Sequence, residues 1–107
     1  MISSEIINQV WERTPEVEGF NPNIWKKDMA GAWIRRDLYG TQSRYGWEVD
    51  HIRPRILGGT DQLENLQALH WQNNRCKSNS YPIFTTGVTS DGNCNKEQQI
   101  RWRITKD

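Results

Sequence analysis

One stretch of the sequence holds side chains suited to hydrolytic chemistry at a phosphate. Asp50 and His51 are adjacent, and Asn74 follows them. A carboxylate and an amide oxygen suit Mg²⁺ or Mn²⁺ better than Zn²⁺, and a single carboxylate leaves the shell to be completed by a substrate phosphate. An imidazole titrates near neutral pH and can take a proton from water. These residue types predict a hard-cation site on Asp50 and Asn74, with His51 as the base.

The elements that must position these residues are two strands and a helix. Apolar and acidic side chains alternate over residues 46–52, which predicts a strand. Gly58-Gly59-Thr60-Asp61 predicts a turn, residues 63–69 contain a short second strand, and residues 71–77 have helical spacing.

The adjacency of Asp50 and His51 places a condition on the first strand. Neighbouring residues of a regular strand face opposite sides, so both reach one site only if the strand ends or bulges there. Pro54 favours an end at this pair.

The flanking segments predict a helix and two hairpins. Residues 3–13 have the apolar spacing of a short helix that Ser3 or Ser4 caps. The strand pairs are predicted at 24–27 with 33–36, and at 83–89 with 97–104 around an Asp91-Gly92 turn.

Composition bounds the class of protein. The 107 residues fit one domain, and 14 basic and 13 acidic side chains give a net charge of +1. That total argues mildly against a nucleic-acid partner, but the first 20 residues carry four Glu and one Arg, so the remainder is mildly basic. Six Trp, three Tyr and two Phe suit a compact core, and we expect the tryptophans there.

The sequence also indicates a compartment. It shows no apolar run long enough for a membrane span and no secretory signal, so we expect a cytoplasmic or other intracellular protein with no membrane partner. Cys76 and Cys94 form no CxxC pair, which excludes a Cys-rich zinc site and argues against a disulfide framework.

Residues 46–79 resemble the HNH endonuclease family, which has the ββα-metal (His-Me finger) fold. The resemblance is carried by Asp-His at a strand end, a Gly-Gly turn, Asn65 in the second strand and Asn-Arg-x-Lys-Ser on the helix. Asn65 lies nine residues before Asn74, and Lys77 lies three after it. This H-N-N spacing is similar to that of the HNH domains of RNA-guided effector nucleases.

The resemblance implies a role for each residue. His51 is the general base, and Asp50 and Asn74 are the ligands of Mg²⁺ or Mn²⁺. Asn65 holds the loop between the strands through backbone hydrogen bonds and so orients His51. The cationic residues expected at the nucleic acid are Lys77, Arg75, Arg53 and Arg55.

Several of these residues also have a plainer interpretation. Arg53 and Arg55 are either solvated loop charges or contacts for the phosphate backbone. His70 is expected as a structural residue at the strand–helix junction. Asn73 is expected to be solvated, because it points about 100° away from Asn74 on a helix.

The expected fold is α+β: a single domain over 1–107, with a small ββα-metal core at about 46–79 flanked by an N-terminal helix and short β-hairpins. Zinc-stabilised relatives carry a CxxC where this chain has His70 and Asn73, so no structural zinc is expected. The flanking aromatic segments must then stabilise the motif.

The expected function is metal-dependent hydrolysis of DNA phosphodiester bonds. The partner is expected to be double-stranded DNA, although RNA stays open, and the protein to be a monomer or a weak homodimer. The alternative is a catalytically silent module that binds nucleic acid or a protein on the same fold.

Overall fold

The computed structural model describes residues 2–105, which form two helices and six strands. The strands pair as three separate antiparallel hairpins, and this mixed arrangement is compatible with the predicted α+β class. Within the described residues, no helix is both long enough and apolar enough to cross a bilayer. The helices are α1 Ser4–Arg13 and α2 Trp71–Lys77; the strands are β1 Trp25–Lys27, β2 Trp33–Arg35, β3 Trp47–His51, β4 Leu66–His70, β5 Ile83–Asp91 and β6 Cys94–Arg103.

Helix α1 begins where Ser3 caps it. It packs one face against the β3–β4 hairpin, the central hairpin of the fold. The Ser3 hydroxyl accepts a hydrogen bond from the Ile6 N–H at 3.2 Å, which satisfies one of the free donors at the helix start. Val10 and Trp11 are buried against Trp47, whose ring centroid lies 5.3 Å from that of Trp11. Aromatic packing of this kind joins the N-terminal segment to the core.

The β3–β4 hairpin lies between the two helices. Its register pairs Val49 with Ala68 and Asp50 with Gln67. Because side chains alternate along a strand, Trp47 and Val49 belong to the apolar cluster with α1, while Glu48 and Asp50 face α2 and make side-chain contacts with it. The hairpin therefore has one apolar face and one polar face, and each has its own helix.

A buried carboxylate connects the first hairpin to the junction between β4 and α2. Asp28 lies in the turn between β1 and β2, and its Oδ1 accepts hydrogen bonds from the N–H groups of Ala30 and Ala32 at 3.0 and 2.9 Å. Its Oδ2 accepts from the His70 N–H at 2.9 Å and from Asn73 Nδ2 at 3.0 Å. Four donors thus satisfy one carboxylate that is 5% exposed.

The expectation that Asn73 is solvated is wrong. The side chain is fully buried, and its Oδ1 accepts hydrogen bonds from the Gly87 and Val88 N–H groups at 2.9 and 2.8 Å. The reason is that β5 packs against the side of α2 that carries Asn73. The helical angle separated Asn73 from Asn74 correctly, but it did not reveal what lies on the other side.

His70 has the structural place predicted for it at the strand–helix junction. Its Nε2 donates to the Arg44 carbonyl at 2.8 Å, and its Nδ1 accepts from the Gln72 N–H at 3.1 Å. Burial lowers the pKa of this imidazole, in keeping with a neutral ring that donates at one nitrogen and accepts at the other.

The β5–β6 hairpin is longer than predicted. Its strands reach Asp91 and Cys94, so the turn lies at Gly92 and Asn93 and not at Asp91-Gly92. Gly92 has a φ of +62°, a left-handed conformation that glycine adopts without a steric penalty.

We expect Asp28→Ala to lower the free energy of unfolding by about 3 kcal/mol, because it removes the side-chain acceptor of three backbone N–H groups and one of the two acceptors of Asn73 Nδ2. Urea denaturation followed by tryptophan fluorescence measures the loss. Asp37→Ala is the matched control, since that carboxylate is exposed and pairs with Arg35 at 3.0 Å. The control should change stability by less than about 0.5 kcal/mol. Similar losses in the two variants would contradict the connecting role of Asp28.

Candidate active site

The end of β3 brings three of the predicted site residues to one cleft. β3 ends at His51, and Pro54 follows as a buried residue. Asp50, His51 and Asn74 all line a cavity of about 380 Å³. The strand end thus satisfies the condition set by the adjacency of Asp50 and His51.

Asp50 is held from two directions inside the polar face. Gln67, its partner across the hairpin, donates from Nε2 to Oδ2 at 3.0 Å. Lys77 Nζ lies 3.3 Å from each carboxylate oxygen. Burial raises the pKa of this carboxyl, and the hydrogen bonds from Gln67 and Lys77 oppose the rise. The charged form of Asp50 therefore depends on these two partners.

Lys77 lies inside the molecule, which corrects the phosphate contact predicted for it. Its side chain is 0% exposed, and Nζ donates to the His51 carbonyl at 3.0 Å as well as to Asp50. The ammonium also lies 5.5 Å from the centroid of the Phe84 ring. The last turn of α2 faces β3 and β5, so this ammonium serves as the counter-charge of Asp50 and does not reach a phosphate at the surface.

Asn74 is oriented by Glu48, a residue whose part in the site the sequence analysis missed. Asn74 Nδ2 donates to Glu48 Oε1 at 2.6 Å, and Glu48 Oε2 lies 3.5 Å from Arg75 Nη2. With Nδ2 engaged, Oδ1 is the Asn74 atom that can bind a cation. The signal was present in the sequence, because Glu48 lies two residues before Asp50 and so shares its face of the strand.

The donor atoms of the cleft fit a hard cation. A carboxylate and an amide carbonyl are both oxygen ligands, and a carboxylate has about four acceptor positions, so Asp50 keeps capacity beyond its bonds to Gln67 and Lys77. Across residues 2–105, no group of three or more His, Cys, Asp or Glu side chains is placed to hold a metal. The fit therefore rests on the oxygens of Asp50 and Asn74.

The His51 ring is hydrogen-bonded to Asp61, a carboxylate that the sequence pattern placed only in a turn. Its Nε2 lies 2.7 Å from Asp61 Oδ1. This hydrogen bond holds the pKa of Asp61 below its usual value, although the carboxylate is exposed. With Nε2 engaged, Nδ1 is the ring nitrogen left to act on water.

Asn65 spans the loop between the two strands. Its Oδ1 accepts from the Arg53 N–H at 2.9 Å, and its Nδ2 donates to the carbonyls of Arg53 and Thr60 at 3.1 and 2.8 Å. A side chain at Gly59 would overlap the Arg53 carbonyl, which explains the glycine there. The loop backbone is therefore fixed two residues after His51.

Three of the predicted nucleic-acid contacts are at the surface. Arg55 lines the cleft, with its side chain 69% exposed and its Nε 3.9 Å from Asp61. Arg53 donates from Nε to the Leu57 carbonyl at 2.7 Å, and its guanidinium lies 5.7 Å from the Tyr81 ring centroid. Arg75 is also exposed, beside Glu48. Their roles at a phosphate stay predictions.

We expect Asn65→Ala to loosen this loop, because it removes three hydrogen bonds to the backbone. In hydrogen exchange measured by NMR, the protection factor of the Arg53 amide should fall at least about tenfold. The matched control is Gln62→Ala, an exposed residue of the same loop. Unchanged protection in the Asn65 variant would contradict the function assigned to its hydrogen bonds.

Part of the chain is similar to a known protein family. Residues 37–80 match the family model described as HNH endonuclease, and this range includes β3, β4 and α2. No curated protein and no solved structure matches the chain significantly. The resemblance predicted from the sequence is thereby confirmed for residues 37–80, which are similar to the HNH endonuclease family.

Proposed function

We propose that this protein is a metal-dependent endonuclease that hydrolyses DNA phosphodiester bonds in the cleft at the end of β3. The family match supports nuclease-type activity and a nucleic-acid substrate. The observation that carries the finer proposal is that Asp50, His51 and Asn74 line one cleft. A proton acceptor and two oxygen ligands in the same cavity are what metal-assisted hydrolysis of a phosphate ester needs.

The Asp50 carboxylate and the Asn74 carbonyl are the groups that would hold Mg²⁺ or Mn²⁺. When bound, the ion would supply positive charge for the phosphoryl oxygens and for the departing 3′ oxygen. Glu48 and Lys77 support the two ligands, because they hydrogen-bond to Asn74 and Asp50 respectively. A ligand held by such neighbours keeps its orientation while the substrate enters.

His51 acts as the general base in this proposal. Its Nδ1 takes a proton from water as the water oxygen attacks phosphorus and the bond to the 3′ oxygen breaks. The leaving oxygen then receives a proton from solvent. Asp61, 2.7 Å from Nε2, orients the ring and favours the imidazolium that forms.

The surrounding residues fix the geometry and attract the substrate. Asn65 holds the backbone of the loop that follows His51, and Lys77 bonds the His51 carbonyl. Arg55, Arg53 and Arg75 are the exposed cations that would contact the phosphate backbone. A single cleft of this kind makes one cut, so a monomer is expected to nick a duplex.

The decisive test compares the parent with His51→Ala on supercoiled plasmid in Mg²⁺ or Mn²⁺. Loss of the proton acceptor should slow nicking at least about 100-fold. Gln99→Ala, an exposed residue of β6, is the control and should nick like the parent. If the His51 variant cuts as fast as the parent, the general-base assignment is wrong. Binding of DNA without cutting in either metal would instead favour the silent binding module.

Removal of the metal should separate activity from stability. EDTA should abolish nicking, while the melting temperature followed by circular dichroism should shift by less than about 2 °C, because the hydrophobic core does not include the ligands. Added Mg²⁺ or Mn²⁺ should restore the activity. A collapse of the melting temperature on chelation would point to a structural metal and would contradict this division.

A further inference from the structure

Ile56 is the most exposed of the large apolar side chains in residues 2–105. It is 76% exposed, whereas the other exposed ones lie between 37% and 43%. It also lines the same cleft as Asp50, His51 and Asn74. Singly exposed apolar side chains are common on protein surfaces, but this one lies in the lining of the cleft that holds the proposed catalytic residues.

The turn that carries Ile56 is fixed in place. Residues Arg55–Leu57 form a single 3-10 turn, closed by hydrogen bonds from the Leu57 and Gly59 N–H groups to the Pro54 carbonyl at 2.9 and 3.0 Å. The Arg53 side chain bonds the Leu57 carbonyl at 2.7 Å, and Asn65 holds the Arg53 backbone. The exposure of Ile56 therefore belongs to an ordered element, which loses little conformational freedom when a partner binds.

The charged residues near Ile56 indicate which kind of partner would bind there. Arg53 and Arg55 lie on either side of Pro54 in the segment that leads into the turn, and Arg55 lines the cleft too. A partner that contacts both the arginines and Ile56 must have an anionic surface. It must also have apolar groups close enough beneath that surface for an isoleucine side chain to reach. A nucleic-acid duplex has this character, because its phosphates surround stacked bases. Proteins that bind DNA insert Ile, Leu or Pro between base steps in this way.

We propose that Ile56 is a wedge that inserts between the bases next to the phosphate bound in the cleft and opens that base step. The inference rests on the proposed function, because it takes the cleft as the phosphate site. The wedge and the arginines then have different signatures. Contacts from Arg55 to phosphate release counterions and depend on salt, whereas an apolar insertion does not.

The test measures binding of a short mixed-sequence duplex in EDTA, where no cutting occurs, over a series of salt concentrations. Ile56→Ala should weaken binding about tenfold without changing the slope of log K against log salt. Arg55→Gln should make that slope shallower by about 0.9. Leu57→Ala, in the same turn, is the matched control and should bind like the parent. All variants should keep the parent melting temperature, since both apolar side chains are exposed.

Unwinding of closed circular DNA provides the second measurement. The parent should shift the topoisomer distribution after relaxation and resealing in EDTA, and Ile56→Ala should not, because only an inserted side chain unstacks the duplex. The wedge would be overturned if Ile56→Ala bound and unwound DNA like the parent. It would also be overturned if the only effect of Ile56→Ala were a loss of protein self-association, measured by sedimentation. No duplex binding by the parent would overturn it too.

The outcomes separate the wedge from the proposed function. If Ile56→Ala loses binding and unwinding but the parent never cuts in Mg²⁺ or Mn²⁺, the wedge stands and the nuclease proposal fails. If the parent cuts and Ile56→Ala binds and unwinds equally well, the nuclease proposal stands and the wedge fails.

Discussion

The ammonium of Lys77 joins helix α2 to both residues at the end of β3. It contacts the carboxylate of Asp50 and the backbone carbonyl of His51, and it is fully buried where it does so. Breaking a buried ion pair costs about 3–5 kcal/mol, because one charge is left without compensation in an apolar environment. The helix is therefore held in one register against the hairpin, and that register determines where Asn74 lies relative to Asp50.

The flanking segments support this arrangement through polar groups as well as apolar ones. Trp11 and Trp47 pack α1 against the apolar face of the hairpin. On the other side, Asp28 bonds the start of α2, and Asn73 bonds the backbone of β5. A helix of seven residues is too short to be stable alone, so these contacts give it the order that its length cannot.

Local patterns in the sequence were enough to predict the elements and the motif, but not the partners of each side chain. Alternation and turn residues predicted the hairpins within a few positions, and the neighbouring Asp50 and His51 predicted a strand end. Asn73 and Lys77 were misjudged because their burial depends on packing against β3 and β5, which the pattern of α2 alone does not show. Asp61 was missed because its contact with His51 depends on the path of a loop. Periodicity describes one element at a time, whereas burial depends on what packs against it.

The residues of the proposed chemistry share one cleft but have different neighbours. Asp50 and Asn74 are supported from the side of α2, by Lys77 and Glu48. His51 ends the strand, its ring is held by Asp61 of the loop, and it also lines a second cavity beside residues of α1 and its cap. In the proposed mechanism, the orientation of the ion ligand Asn74 depends on Glu48, and the orientation of the base depends on Asp61. In that mechanism, substitutions at Glu48 or Asp61 would act on the ion ligands or on the base separately, whereas Lys77 couples the two, because it contacts both Asp50 and the His51 carbonyl.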